Sequence, residues 1–160
     1  MFDKFGEFDS AEEINMAAEG LKAEGDKESL EKLLEENGLE KEFAGMYLQG
    51  MIPFVTEAAS AAIGKLDVES KALECKELMV DWVDYIKSLC FEDAETAKKV
   101  RSKAKSLAGC LGALLKYSYD NRVTISDEIV KAAGIKASRV DFGIAGMAKA
   151  KEIITKYYKE

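Results

Sequence analysis

The residues best suited to chemistry are carboxylates and cationic side chains, set out in two stripes. Glu74, Glu77, Asp81 and Asp84 recur at three- and four-residue steps, which places them on one face of a helix. Such a row suits three tasks: holding a divalent cation, supplying paired carboxylates for acid–base work, or imitating phosphate spacing in a nucleic-acid channel. Di-metal bundles take Glu-x-x-His pairs from a second helix, and this chain has no histidine. No metal and no cofactor is therefore expected, and a solvated helix face is the plain alternative to a partner-binding stripe. The second set is basic: Lys98, Arg101 and Lys105 share one row and Lys99 and Lys103 another, continued by Lys116 and Arg122. Its functional reading is contact with a nucleic-acid backbone. Lysines that cover a buried face with their stems, or pair with the acidic stripe, give the competing one. Exposed aromatics are not interleaved with them as single-strand binders require.

Without histidine there is no Ser-His-Asp or Cys-His nucleophile and no imidazole acid or base. Cys75, Cys90 and Cys110 lie far apart with no Cys-x-x-Cys pair, so they read as buried free thiols acting as small hydrophobes. Gly143-Ile144-Ala145-Gly146 matches neither a P-loop nor a dinucleotide fingerprint and reads as a turn. No constellation supports catalysis, and a non-enzymatic protein is expected.

Elements that would position these stripes follow from periodicity. Leu78, Met79, Trp82, Val83, Ile86, Leu89 and Cys90 fall on one arc when each residue turns by ~100°, and Val100, Ala104, Leu107, Leu111, Leu114 and Leu115 share another face. Residues 71–120 thus predict two long helices meeting at a short bend. Upstream, Ser10-Ala11-Glu12-Glu13 is a capping box, Asp26 caps a second helix that exits at Asn37-Gly38, and a third runs from about Glu40 to Leu48. Residues 1–9 read as a loosely held arm with Phe2, Phe5 and Phe8 able to dock. Pro53 suits the first turn of a fourth helix. Val123-Thr124-Ile125 is too short and β-branched for a helix, and Arg139-Val140-Asp141-Phe142 alternates, so the two predict a minimal ladder. A last helix spans about 145–158.

With 160 residues, one proline and abundant Ala, Glu, Lys and Leu, the expected fold is all-α: one domain over 1–160, a compact bundle of about seven helices, possible β pair near 123–125/139–142 included. An acidic head covers about 1–50 and a body about 51–160. No window is apolar enough to span a membrane, and the amino terminus does not resemble a signal peptide, so a cytoplasmic protein without membrane partners is expected. Charge is divided: residues 1–95 carry 24 Asp/Glu against 9 Lys/Arg, whereas residues 96–160 carry 6 against 14. That asymmetry points to a polar partner or to mutual attraction of the two halves.

Lys105-Ser106-Leu107-Ala108-Gly109-Cys110, then Leu114-Leu115, Ile125-Ser126-Asp127-Glu128-Ile129-Val130 and Tyr157-Tyr158-Lys159-Glu160, together resemble the PcfK-like family. The resemblance covers about a third of the chain and none of the acidic head. It implies a protein of conjugative elements or phages, in a family that includes inhibitors of a CRISPR nuclease. Two functions are carried forward. One is a binding or inhibitor protein whose acidic surface engages a basic protein partner such as a nucleic-acid enzyme. The other is a nucleic-acid-binding accessory protein using the basic 98–122 face.

Overall fold

The structure, a computed structural model, describes residues 2–160. Among these are nine helices: α1 (Ala11–Glu24), α2 (Lys27–Glu36), α3 (Glu42–Leu48), α4 (Ala58–Ala72), α5 (Leu78–Glu92), α6 (Ala94–Arg101), α7 (Leu107–Asp120), α8 (Asp127–Ala132) and α9 (Met147–Lys159). One antiparallel pair joins β1 (Val123–Thr124) to β2 (Asp141–Phe142), with Val123 opposite Phe142 and Thr124 opposite Asp141. The fold is all-α with a minimal β ladder.

Local signals account for the head. The Ser10 hydroxyl accepts from the Glu13 amide at 3.2 Å, while the Glu13 carboxylate reaches back to the Asp9 amide at 2.7 Å. Asp26 accepts from the Ser29 amide at 2.9 Å. Gly25 and Gly38 take the left-handed conformation that ends α1 and follows α2, one that costs glycine nothing. Ile14, Ala18, Leu30, Leu33, Leu34, Ala44 and Tyr47 close the head core.

The arm is not loose. Buried Glu36 accepts from the Lys4 amide at 2.9 Å and the Phe5 amide at 3.1 Å. Glu7 pairs with Lys65 at 2.7 Å, and Asp9 accepts from the Lys103 amide at 2.7 Å. Phe5 and Phe8 pack against the head core. A strap with this many partners is held by charge-assisted bonds that hydrophobic alternation does not reveal.

Three expected helices end or begin elsewhere. Pro53 lies in the bend before α4, whose first residue is Ala58. The helix expected from Lys71 begins only at Leu78: α4 runs on to Ala72 and stops at Leu73, where Glu74 turns left-handed (φ 52°) and Glu77 also holds positive φ (51°). The Cys75 amide then bonds back to the Ser70 carbonyl at 3.0 Å and the Glu74 amide to Lys71 at 3.2 Å, a Schellman stop with glutamate where glycine usually stands. The second of the two long helices, expected from Glu92-Asp93 to Asp120, breaks between Arg101 and Leu107. There the Lys65 ammonium takes up the Arg101, Ser102 and Lys105 carbonyls, at 3.4, 2.7 and 2.7 Å, and α7 restarts on the Ser106 hydroxyl, 3.1 Å from the Gly109 amide.

Helix α4 belongs to both halves. Its Ala61 completes the head core, together with Val55 just before the helix, while Ala62 and Leu66 enter the body core with Trp82, Val83, Ile86, Cys90, Val100, Leu107, Cys110, Leu114, Ile154 and Tyr158. Adjacent alanines serve different cores because a residue step turns the helix by ~100°.

Candidate functional site

The two charged stripes meet different fates. On the basic side, Lys98 and Lys99 are exposed on α6, and Lys98 pairs with Glu95 at 2.7 Å. Lys103 is exposed in the α6–α7 connection. Lys105 is half-buried; its ammonium donates to the Tyr157 carbonyl at 2.7 Å and lies 4.8 Å from the Tyr157 ring centre. Arg101 is only 1% exposed. Its guanidinium donates to Asn37 Oδ1 at 2.7 Å and to the Ala61 carbonyl at 3.3 Å, while its Nε has no partner among the described residues. Burial pulls the Arg101 pKa down, against the carboxylates of Glu7 and Glu69 that raise it. Arg101 is therefore a core residue joining head and body, and the row expected from Lys98, Arg101 and Lys105 is not a continuous surface feature. Further along, Lys116 pairs with Asp120, and Arg122 stacks over Tyr119 at 3.9 Å.

On the acidic side, Glu74, Glu77, Asp81 and Asp84 are all exposed, but they do not form the expected stripe. Only Asp81 and Asp84 lie on α5; Glu74 and Glu77 occupy the connection before it. Asp84 falls about 140° round α5 from Met79. Among the described residues no three His, Cys, Asp or Glu side chains converge in a way that would hold a metal ion.

At Leu73 and Met79, on either side of the connection that holds Glu74 and Glu77, lies a feature that neither stripe announced. An open groove of ≈ 440 Å³ is walled by Leu73, Met79 and Trp82 on one side and by Leu111 and Leu115 of α7 on the other, with Ile144 at its end. Its lining is overwhelmingly apolar. Leu115, expected in the core with Leu114, is 68% exposed, and Leu73 and Ile144 are exposed as well. The reason is geometric. Residues 107–115 of α7 carry no charge, so the helix offers one apolar stripe to the core (Leu107, Cys110, Leu114) and a second (Ala108, Leu111, Gly112, Leu115) to the groove. A helix apolar on both sides is the sequence signal that could have located it. The groove continues past Gly143 and Ile144 into a smaller depression bordered by Val123 and Phe142. The 143–146 segment, expected as a turn, is an irregular connection from β2 to α9: the Ala145 amide donates to Ser118 Oγ at 3.1 Å, and Gly146 is the residue that caps α9.

The remaining groups are internal. Cys90 and Cys110 are buried free thiols pushed up to about 12 by desolvation, and burial likewise raises Tyr158. Cys75 is free and half-buried. Among the described residues no helix is long and apolar enough to cross a membrane. In comparison with known proteins, no family model, no curated protein and no solved structure matches the chain.

Proposed function

We propose that the chain is a non-enzymatic binding or inhibitor protein of a mobile genetic element or phage, whose acidic surface engages a basic protein partner. A nucleic-acid enzyme fits that description, a CRISPR nuclease among them. The observation that carries this reading is the contrast in accessibility: Glu74, Glu77, Asp81 and Asp84 all face solvent, whereas Arg101 is enclosed and Lys105 is bound to the Tyr157 carbonyl. An acidic protein inherits the long-range attraction that nucleic-acid channels exert on phosphates. The chain's net charge of −7 supports it.

The test compares the wild type with the variant Glu74→Gln, Glu77→Gln, Asp81→Asn, Asp84→Asn in titrations against purified basic nucleic-acid enzymes. Binding that the wild type shows and the variant loses by about tenfold or more, with far-ultraviolet dichroism unchanged, would bear the proposal out. A parallel gel-shift with single- and double-stranded DNA at ~50 and ~200 mM salt addresses the other reading. DNA binding that falls by orders of magnitude across that range would overturn the proposal in favour of Lys98, Lys99 and Lys103 as a nucleic-acid face.

A further inference from the structure

We infer that residues 2–9 are a releasable strap closed over an oxyanion site, in which Glu7 stands where the carboxylate or phosphate group of a ligand binds. The site lies at the junction of head and body, uses none of the four exposed carboxylates, and goes beyond the binding reading above.

The strap itself is open to solvent while the groups it holds are enclosed. None of residues 2–9 is buried, yet beneath them Lys65 and Arg101 are each 1% exposed and Glu36 is 5% exposed. Its grip is largely polar. At the head end Glu36 takes the Lys4 and Phe5 amides, and the Lys4 ammonium donates to Ser29 Oγ at 2.7 Å. At the body end Glu7 pairs with Lys65 and Asp9 accepts from the Lys103 amide. Gly6, with φ of 74°, bends the chain between the two anchors. Phe5 and Phe8 rest on the head core but stay half-buried. A segment with no buried residue can lift without opening either core, as the least stable units of a fold do.

Lifting it uncovers two cations that lose their counter-charge together. Glu7 is the carboxylate bonded to Lys65, at 2.7 Å. Arg101 donates to Asn37 and to the Ala61 carbonyl but to no carboxylate among the described residues, and its Nε is unpartnered. The Phe2 ring lies 5.9 Å from its guanidinium carbon, so the strap covers this cation too. Burial lowers the Arg101 pKa; of the carboxylates that oppose this, Glu7 acts most strongly, ahead of Glu69, Glu13 and Asp9. Glu7 and Asp9 depart with the strap. Lys65, Arg101 and Lys103 then stand against Glu69, already held by the Leu107 amide, and Glu13, exposed on α1. An ammonium beside a guanidinium with an N–H to spare is a donor set for carboxylate or phosphate oxygens. Because ligand and Glu7 exclude each other, binding draws the strap open.

Lys4 reports the opening, because a lysine-specific protease can cut after it only when the strap is lifted, and the rate follows the open population when reclosing is fast. Full-length protein is digested with inorganic phosphate or acetate as probe, against sodium chloride at matched ionic strength, and the cuts are located by mass spectrometry. In the wild type, phosphate or acetate should raise the rate of cutting at Lys4 saturably, above the chloride level. Whichever acts at the lower concentration names the ligand group, and either bears the inference out. Glu7→Gln gives up a charge-assisted hydrogen bond and should be cut at Lys4 about tenfold faster. Its half-maximal probe concentration should fall by about the same factor, since apparent affinity scales with the competent fraction. Buried Lys65 should stay uncut in both proteins, showing that the cores remain closed. A rate set by ionic strength alone would overturn the inference, as would equal rates for Glu7→Gln and the wild type. Cutting at Lys4 that appears only together with cutting at Lys65 would overturn it too, since the strap would then open only with the whole fold.

Discussion

Lys65 and Glu69, one turn apart on α4, cap the two ends of a single break in the chain. The Lys65 ammonium meets the carbonyls that α6 leaves free at its carboxyl end, and Glu69 Oε2 accepts from the Leu107 amide at 2.8 Å, at the amino end of α7. Each sign matches the helix end it faces: a cation where carbonyls are unpaired, an anion where amides are. Both side chains are buried, and Lys65 is also paired with Glu7 at 2.7 Å. Removing the Lys65 ammonium would leave Glu7 and the Arg101, Ser102 and Lys105 carbonyls without their cation, a loss of roughly 3–5 kcal/mol, as for breaking a buried ion pair.

Glu69 makes this arrangement pH-dependent. Desolvation raises its pKa above the ordinary value of 4.5, outweighing the Leu107 amide and Lys65, which lower it. A carboxyl raised on folding contributes stability that is complete below the unfolded value and lost as pH rises through the folded one. Glu69→Gln keeps an acceptor for the Leu107 amide and removes that titration. The two proteins should therefore unfold at similar urea concentrations near pH 4, with the glutamine variant gaining on the wild type as pH rises to 7. Asp9 and Asp93 shift downward, but they are common to both proteins and cancel in the comparison. A difference that stays constant from pH 4 to 7 would refute the assignment.

Head and body meet where Gly64 of α4 crosses Gly38 after α2. A Cβ on Gly64 would be driven into the Asn37 carbonyl oxygen, and one on Gly38 into the Gly64 carbonyl oxygen. Both obstacles are backbone and cannot rotate away. Gly64→Ala should destabilise by about 1–3 kcal/mol, the usual range for overpacking. Gly20→Ala, in the open on α1, should instead stabilise by up to ~1 kcal/mol through helix propensity. Equal urea midpoints for the two variants would mean that the crossing is looser than drawn.

At Glu74 the left-handed conformation carries a strain of ~1–2 kcal/mol that glycine would not. Glu74→Gly relieves it while making the unfolded chain more flexible, so the expected net gain is below about 1 kcal/mol, a rise in Tm of at most roughly 2–4 °C for a chain of this size. A lower Tm would show that the Glu74 side chain itself contributes to the fold. Under the proposed function, the same variant should bind its partner less tightly although it is more stable.

The thiols give the simplest check on packing. Reaction with a disulfide reagent needs the thiolate and access to it, and Cys90 and Cys110 are buried with pKa values pushed up to about 12. At pH 8 the native protein should release one equivalent rapidly, from Cys75, and the remaining two only in denaturant. Three fast equivalents would contradict the body core described here.

Much of this architecture was legible in the chain because its determinants are local. Ser10 and Asp26 cap amides three residues on, and Gly25, Gly38 and Gly134 take left-handed turns at or just beyond helix ends. Val123 and Thr124 pair with Phe142 and Asp141, within the two segments whose alternation predicted a ladder. The three thiols are free. What the chain did not announce depends on partners distant in sequence. The stop at Leu73–Glu77 has glutamate in the place of glycine, so nothing punctuates it. The break after Arg101 exists because Lys65 and Glu69, 36 and 38 residues before Arg101 and Leu107 respectively, satisfy its carbonyls and amide. Those two breaks bear on the candidate site: one divided the acidic stripe, and the other ended α6 at Arg101, which shares that helix's buried face with Ala97 and meets Asn37. Side-chain periodicity reports which residues share a helix face only while the helix continues. Where it stops is set by whichever polar groups meet its free ends, and here tertiary structure supplied them.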